Sequence, residues 1–163
     1  MSKKILIKSE IKEYNSIEEL SGQDKKLLDH ARDAADLSYA PYSNFYVGAA
    51  LLLENGKILK GNNQENVSYP SGLCAERVAI FAAGAQYPDT PIKAIAITAK
   101  SKKNKITEPV APCGACRQVM AEYENRYQSN IRLILMGEVG KIYIIESVKN
   151  ILPLMFNAEW LKK

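Results

Sequence analysis

Cysteine and histidine are scarce in this 163-residue chain, with three of the first and one of the second. Three thiols cannot pair off into a disulfide framework, and an odd count argues against a secreted scaffold held by bridges. Long apolar runs are missing too. The stretch Ile5-Leu6-Ile7 behind Met1-Ser2-Lys3-Lys4 is too short for an export signal or a membrane span, so a cytoplasmic protein without a membrane partner is expected. Charge of one sign is also lacking. A formal net charge of +4 is too small to imply a nucleic-acid partner, and the lysines at 100, 102, 103 and 105 form the only basic run. There is no internal repeat and no low-complexity linker, and the length fits one compact domain with a substantial core.

What is present alternates between helical and strand patterns. Ile5, Ile7 and Ile11 against Lys4, Lys8 and Lys12 predict an exposed edge strand over residues 4–12. Ser21-Gly22-Gln23-Asp24 reads as a capping box that opens a helix running to about Ser38, and Pro41 prevents its continuation. Tyr46–Leu53, Asn55-Gly56 and Lys57–Lys60 spell a hairpin. A buried alanine-rich helix is expected from Cys74 to about Ala85, and a strand over Ile92–Thr98. A second cysteine-led helix follows from Cys113 to about Asn125, with strands at Ile131–Met136 and Lys141–Glu146 and a short helix capped by Ser147. The order α-β-β-α-β-α-β-β predicts an α/β sandwich around a five-stranded mixed sheet.

All three cysteines fall into two motifs, Cys74-Ala75-Glu76 and Pro112-Cys113-Gly114-Ala115-Cys116. Three thiolates leave one position open on a tetrahedral zinc, which is the mark of a catalytic rather than a structural site. Cys-x-Glu followed by Pro-Cys-x-x-Cys is the ligand and proton-shuttle spacing of the zinc deaminases. Turn residues Pro70, Ser71, Gly72 and Pro112 place the thiols at two helix starts, where free N–H groups and the helix dipole favour thiolate. Arg77, one turn into the first of these helices, is expected to hydrogen-bond a thiolate sulfur and offset the charge of three donors. Two simpler readings compete. A thioredoxin-like redox pair would explain Cys113 and Cys116 but leaves Cys74-Ala75-Glu76 without a purpose. A closed structural site would need His30 as fourth ligand, yet His30 sits at the edge of its helix's apolar stripe.

Further stretches resemble the small homotetrameric zinc cytidine deaminases. They are residues 40–51 (Ala-Pro-Tyr-Ser-Asn-Phe-Tyr-Val-Gly-Ala-Ala-Leu), residues 61–69 (Gly-Asn-Asn-Gln-Glu-Asn-Val-Ser-Tyr), Cys74-Ala75-Glu76-Arg77 and residues 112–118, with an echo at Leu152–Phe156. The resemblance covers roughly residues 22–157. It implies a three-layer cytidine-deaminase-like sandwich over residues 21–163, with residues 1–20 as an N-terminal extension, and one Zn²⁺ per chain held by Cys74, Cys113 and Cys116. Glu76 matches the proton shuttle, Phe45 the aromatic beside the pyrimidine, and Asn63 with Glu65 the pair on the ribose 3′-hydroxyl. The Ala75 N–H matches the donor to the cytosine 2-carbonyl. Tyr69 and Phe156 match residues lent to a neighbouring subunit's pocket in a homotetramer with shared sites. The implied activity is hydrolytic deamination of cytidine and deoxycytidine in pyrimidine salvage. A deaminase of a cytosine-containing antibiotic such as blasticidin S shares the zinc motifs, and a non-catalytic zinc scaffold is the reading from another class. Asn62 and Val67 stand where relatives often carry other small residues, which bears on the pocket's shape.

Overall fold

The computed structural model describes residues 2–158 and Leu161. Its elements are β1 (Lys12–Tyr14), α1 (Gly22–Asp36), β2 (Phe45–Leu53), β3 (Ile58–Asn62), α2 (Ala75–Gln86), β4 (Ile92–Ser101), α3 (Gly114–Tyr127), β5 (Arg132–Met136) and β6 (Ile142–Ile145). Short 3-10 turns lie at Ile17–Glu19, Tyr69–Ser71 and Val148–Asn150. The strands form one sheet in the order β1-β6-β5-β4-β2-β3, in which β4 and β5 run parallel and every other pair is antiparallel. A parallel pair cannot be joined by a tight turn, and α3 supplies the crossover between β4 and β5.

Strand alternation builds a three-layer molecule. Ala49, Leu51, Ile95, Ile97, Leu133 and Leu135 turn to the face covered by α2 and α3. Ala50, Ala94, Ala96, Ile134 and Met136 turn to the other, covered by α1 through Leu27, Leu28 and Ala31. The central strands are therefore apolar on both faces and read as continuous apolar runs. Two glycines let the helices lie close. A Cβ at Gly48 would stand 1.9 Å from the Ala31 carbonyl oxygen in α1, and one at Gly61 would stand 2.5 Å from both the Ala75 carbonyl oxygen and the Ala79 nitrogen in α2.

The sheet has six strands where the sequence reading gave five. The sixth is β1, and it lies at Lys12–Tyr14 rather than over residues 4–12. Those three residues meet β6 in register and are tied to its ends by ion pairs, Lys12 with Glu146 and Glu13 with Lys141, both at 3.0 Å. Upstream, Ile5 and Leu6 are more than two-thirds exposed and the alternation finds no neighbouring strand. The hairpin forms as read. Gly56 adopts a left-handed φ of 82° in a three-residue turn closed by Leu53 N–H to Lys57 O at 2.9 Å.

The capping box at α1 is half built. Ser21 Oγ accepts from the Asp24 N–H at 3.2 Å, but the Asp24 carboxylate turns to Arg132, accepting from its two terminal nitrogens at 2.6 and 2.9 Å. A charged bidentate partner outweighs a lone backbone N–H. On the opposite face of the sheet, buried Glu124 of α3 accepts from the Ile131 N–H, the Val148 N–H and Ser147 Oγ at 2.8–3.0 Å, which pins α3 to the start of β5 and to the last turn.

Candidate active site

Two helix starts meet a hairpin end here. Cys74 is the N-cap of α2 and Cys113 the N-cap of α3, both in extended conformation, and Cys116 lies in the first turn of α3. The sulfur of Cys74 is 3.9 Å from that of Cys113, which is 3.5 Å from that of Cys116, and all three sulfurs lie within 4.8 Å of one another. A disulfide would bring two of them to about 2.05 Å. Four ligands at about 2.3 Å around a tetrahedral zinc stand about 3.8 Å apart, so these spacings fit the edges of a ZnS₃ face.

The proton chemistry of the trio points the same way. Cys74 is held down to about 5, first by a hydrogen bond from Cys116 and then by Arg77, whose terminal nitrogen lies 3.6 Å from its sulfur. The same Cys74 contact, with burial, pushes Cys116 well above an ordinary thiol. Cys116 and Arg77 thus favour the thiolate at Cys74, the form in which a thiol ligates a metal. The Arg77 Nε–H is buried and has no acceptor among the described residues. The trio fits zinc.

Above it opens a cavity of about 650 Å³, within the range of small-molecule sites. Its walls include Phe45 and Val47 from β2, Asn63 and Glu65 from the segment after β3, Tyr69, the Leu73–Cys74 turn, and Val110 and Ala111 ahead of α3. Glu76 also lines it and is 4% exposed; burial pushes its carboxyl up, and the Cys74 thiolate adds to the rise. Ala75 is fully buried at the first helical position, and the first amide of α2 to bond back into the helix is Val78 N–H, to Cys74 O. The Ala75 N–H, ahead of that bond, has no acceptor within the helix.

The residues singled out in the sequence divide into three groups. Phe45, Asn63, Glu65, Tyr69, Cys74, Glu76, Arg77 and Cys113 all line one cavity, with Cys116 and Ala75 buried beside it. Tyr69 stands on the rim, 76% exposed, its ring centroid 6.1 Å from that of Tyr42. Phe156 is outside the cavity of its own chain, 64% exposed, with its carbonyl accepting from Gln118 Nε2 at 2.8 Å. His30 is half-buried on α1 and takes no part in the trio. The apolar wall of Val110 and Ala111 was not singled out from the sequence, although an apolar pair directly ahead of Pro112-Cys113 is its signal. Ser43, within the stretch 40–51, hydrogen-bonds Glu65.

Comparison with known proteins agrees with this geometry. Residues 21–128 match the family model of the cytidine and deoxycytidylate deaminase zinc-binding region. The chain is 42% identical over 137 residues to the cytidine deaminase of Halalkalibacterium halodurans, covering 82% of this chain and 93% of that one. It is 39% identical over 135 residues to that of Sporosarcina psychrophila, covering 83% and 92%. The crystal structure of a cytidine deaminase from Burkholderia pseudomallei superposes with a TM-score of 0.71 at 38% identity, covering 84% of this chain and all of that one. With its sulfur trio, buried glutamate and three-layer sheet, the chain belongs to the cytidine and deoxycytidylate deaminase zinc-binding family.

Proposed function

We propose that this chain hydrolyses the exocyclic amine of cytidine and deoxycytidine, giving uridine or deoxyuridine and ammonia, in pyrimidine salvage. The observation that carries the reading is Glu76, a buried carboxyl that shares the cavity with the three sulfurs. Residues 21–163 are read as the catalytic domain and residues 1–20 as an appendage to it. When held by Cys74, Cys113 and Cys116, zinc lowers the pKa of a water towards neutrality.

The rest of the chemistry falls to the chain. Glu76 accepts a proton from the water and delivers it to ring N3, which makes C4 electrophilic. After the water oxygen adds at C4, Glu76 takes that oxygen's remaining proton and passes it to the amine, so that the C4–N bond breaks, C4=O forms and ammonia leaves. A carboxyl suits both roles when its pKa is raised towards the working pH, and burial does this to Glu76. The Ala75 N–H holds the 2-carbonyl and Phe45 lies against the ring. Arg77 keeps a positive charge on the sulfurs, so that three thiolates do not quench the metal's acidity. Asn63 and Glu65 take the sugar hydroxyl, and no side chain is assigned to the 2′-position, so both nucleosides are substrates.

Tyr69 and Phe156, exposed in the single chain, are assigned to contacts between subunits of a homotetramer with shared sites. Thiols gathered for a metal suit a reducing compartment, and the cytoplasm is the assigned location. The test is ammonia release from cytidine beside Glu76→Gln, with zinc measured on both proteins. Glu76→Gln should keep one zinc per chain and lose turnover; near-normal turnover in that variant would sink the assignment.

A further inference from the structure

We propose that Ser43 is a positioning residue that makes Glu65 an acceptor-only group, and so sets the site's demand for a hydroxyl on the sugar. The inference rests on the nucleoside reading above, and its basis is a directed chain of hydrogen bonds. The Phe45 N–H donates to Ser43 Oγ at 3.0 Å. Ser43 Oγ in turn contacts Glu65 Oε1 in a short hydrogen bond. A hydroxyl has one proton, and with the amide of Phe45 on its lone pair that proton points at Glu65. The other carboxylate oxygen accepts from the N–H groups of Tyr42 at 2.9 Å and Ser43 at 3.3 Å.

Glu65 therefore faces three donors from one short segment, and each favours the ionised form. The Ser43 hydroxyl is the largest cause that holds this carboxyl below its ordinary value. A carboxylate offers about four acceptor positions. Three are taken, and what remains at the cavity wall accepts an O–H and cannot donate. An ether oxygen or a bare methylene at that point leaves the carboxylate desolvated and unanswered.

The segment is fixed from its other side as well. Asn63 Oδ1 accepts from the Val47 N–H at 2.8 Å while its Nδ2 donates to the Phe45 carbonyl at 2.9 Å, extending the β2–β3 ladder by a side chain. Asn44, at the bend between Ser43 and Phe45, holds a left-handed φ of 56°. Ser43 thus ties the aromatic wall to the carboxylate, so the ring of Phe45 and the acceptor of Glu65 keep a fixed separation.

The experiment is steady-state kinetics on cytidine and 3′-deoxycytidine for the wild type, Ser43→Ala, Ser43→Thr, Glu65→Gln and the Ser43→Ala/Glu65→Gln double variant, with zinc content on each. Ser43→Ala should raise KM for cytidine about tenfold with kcat nearly unchanged, the loss of one charge-assisted hydrogen bond. It should change 3′-deoxycytidine little, so the preference between the two shrinks about as much. Ser43→Thr should restore the preference, and adding Ser43→Ala to Glu65→Gln should add little. Inactivity of the zinc-loaded wild type on cytidine would remove the nucleoside reading and this inference with it. An active wild type whose Ser43→Ala variant keeps its preference would remove the role of Ser43 alone. A fall in kcat and zinc content alike on both substrates would make Ser43 a structural residue and also overturn it.

Discussion

Gly61 meets α2 at the turn that carries Cys74, Ala75 and Glu76, and that contact makes Gly61→Ala a direct probe of how tightly the site is held. The new Cβ would sit 2.5 Å from the Ala75 carbonyl oxygen, 2.5 Å from the Ala79 nitrogen and 2.9 Å from the Ala79 Cβ. Ordinary contact needs about 3.5 Å, so α2 must retreat from the sheet by roughly 1 Å. Both close atoms are backbone, and no flexible side chain can absorb the shift. Overpacking of this kind costs about 1–3 kcal/mol. At this chain length the loss corresponds to roughly 2–4 °C in Tm for each kcal/mol. The displaced turn also carries Glu76, and a misplacement of about 1 Å can cost around a hundredfold in rate. Gly61→Ala should therefore lower kcat by about 10–100-fold in protein that remains folded. The control is Gly48→Ala, which clashes with Ala31 and Ala35 of α1, a helix that contributes nothing to the cavity wall. It should cost at least as much in Tm and far less in kcat per folded molecule. Thermal melts paired with initial rates on cytidine decide the matter. A Gly61→Ala enzyme with wild-type kcat would refute the close coupling of α2 to β3.

Three other perturbations have defined outcomes. Burial pushes the Asp24 carboxyl up, but hydrogen bonds from Arg132 and Ser21 outweigh it and hold the group below its ordinary value. The stability this confers is present above the unfolded value of about 3.9 and is lost as pH falls through the folded one. Asp24→Asn should accordingly cost about 1–3 kcal/mol in urea melts at pH 7, with the gap to wild type closing below about pH 4. Arg77→Ala removes the donor 3.6 Å from the Cys74 sulfur and should weaken zinc binding about tenfold in chelator competition, with turnover falling alongside. Removal of residues 2–11, largely exposed, should leave activity and Tm unchanged, whereas removal through Asn15 takes away β1 and should promote self-association in light scattering.

Most of the layered fold was legible because its signals are local. The apolar stripe of α1, the Asn55-Gly56 turn and the runs of β4 and β5 each follow from a few neighbouring residues. The cysteine trio was legible for a different reason: a thiolate site needs specific residue types at specific spacing. What escaped depends on distant partners. The alternation of Ile5, Ile7 and Ile11 looks like a strand, but pairing begins only at Lys12, where β6 offers a neighbour and two ion pairs. The partners of Glu124 come from residues 131, 147 and 148, and only the fold brings them around it. Asp24 fits a capping box until Arg132, 108 residues away, takes its carboxylate. Ser43 lies inside a recognisable stretch, yet its meaning depends on Glu65 arriving from the far end of a hairpin.

Cys74 and Cys113 are 39 residues apart, and the chain between them contains all of α2 and β4. One ion held by both helix starts is therefore a cross-link that closes a long loop. By the chain-entropy relation used for disulfides, a closure of that length removes about 4 kcal/mol of disorder from the unfolded ensemble. A disulfide closes such a loop whatever the surroundings; a metal does so only while its supply lasts. The abundance of folded protein in a cell would then follow free zinc, so that metal scarcity lowers the number of enzyme molecules as well as the activity of each.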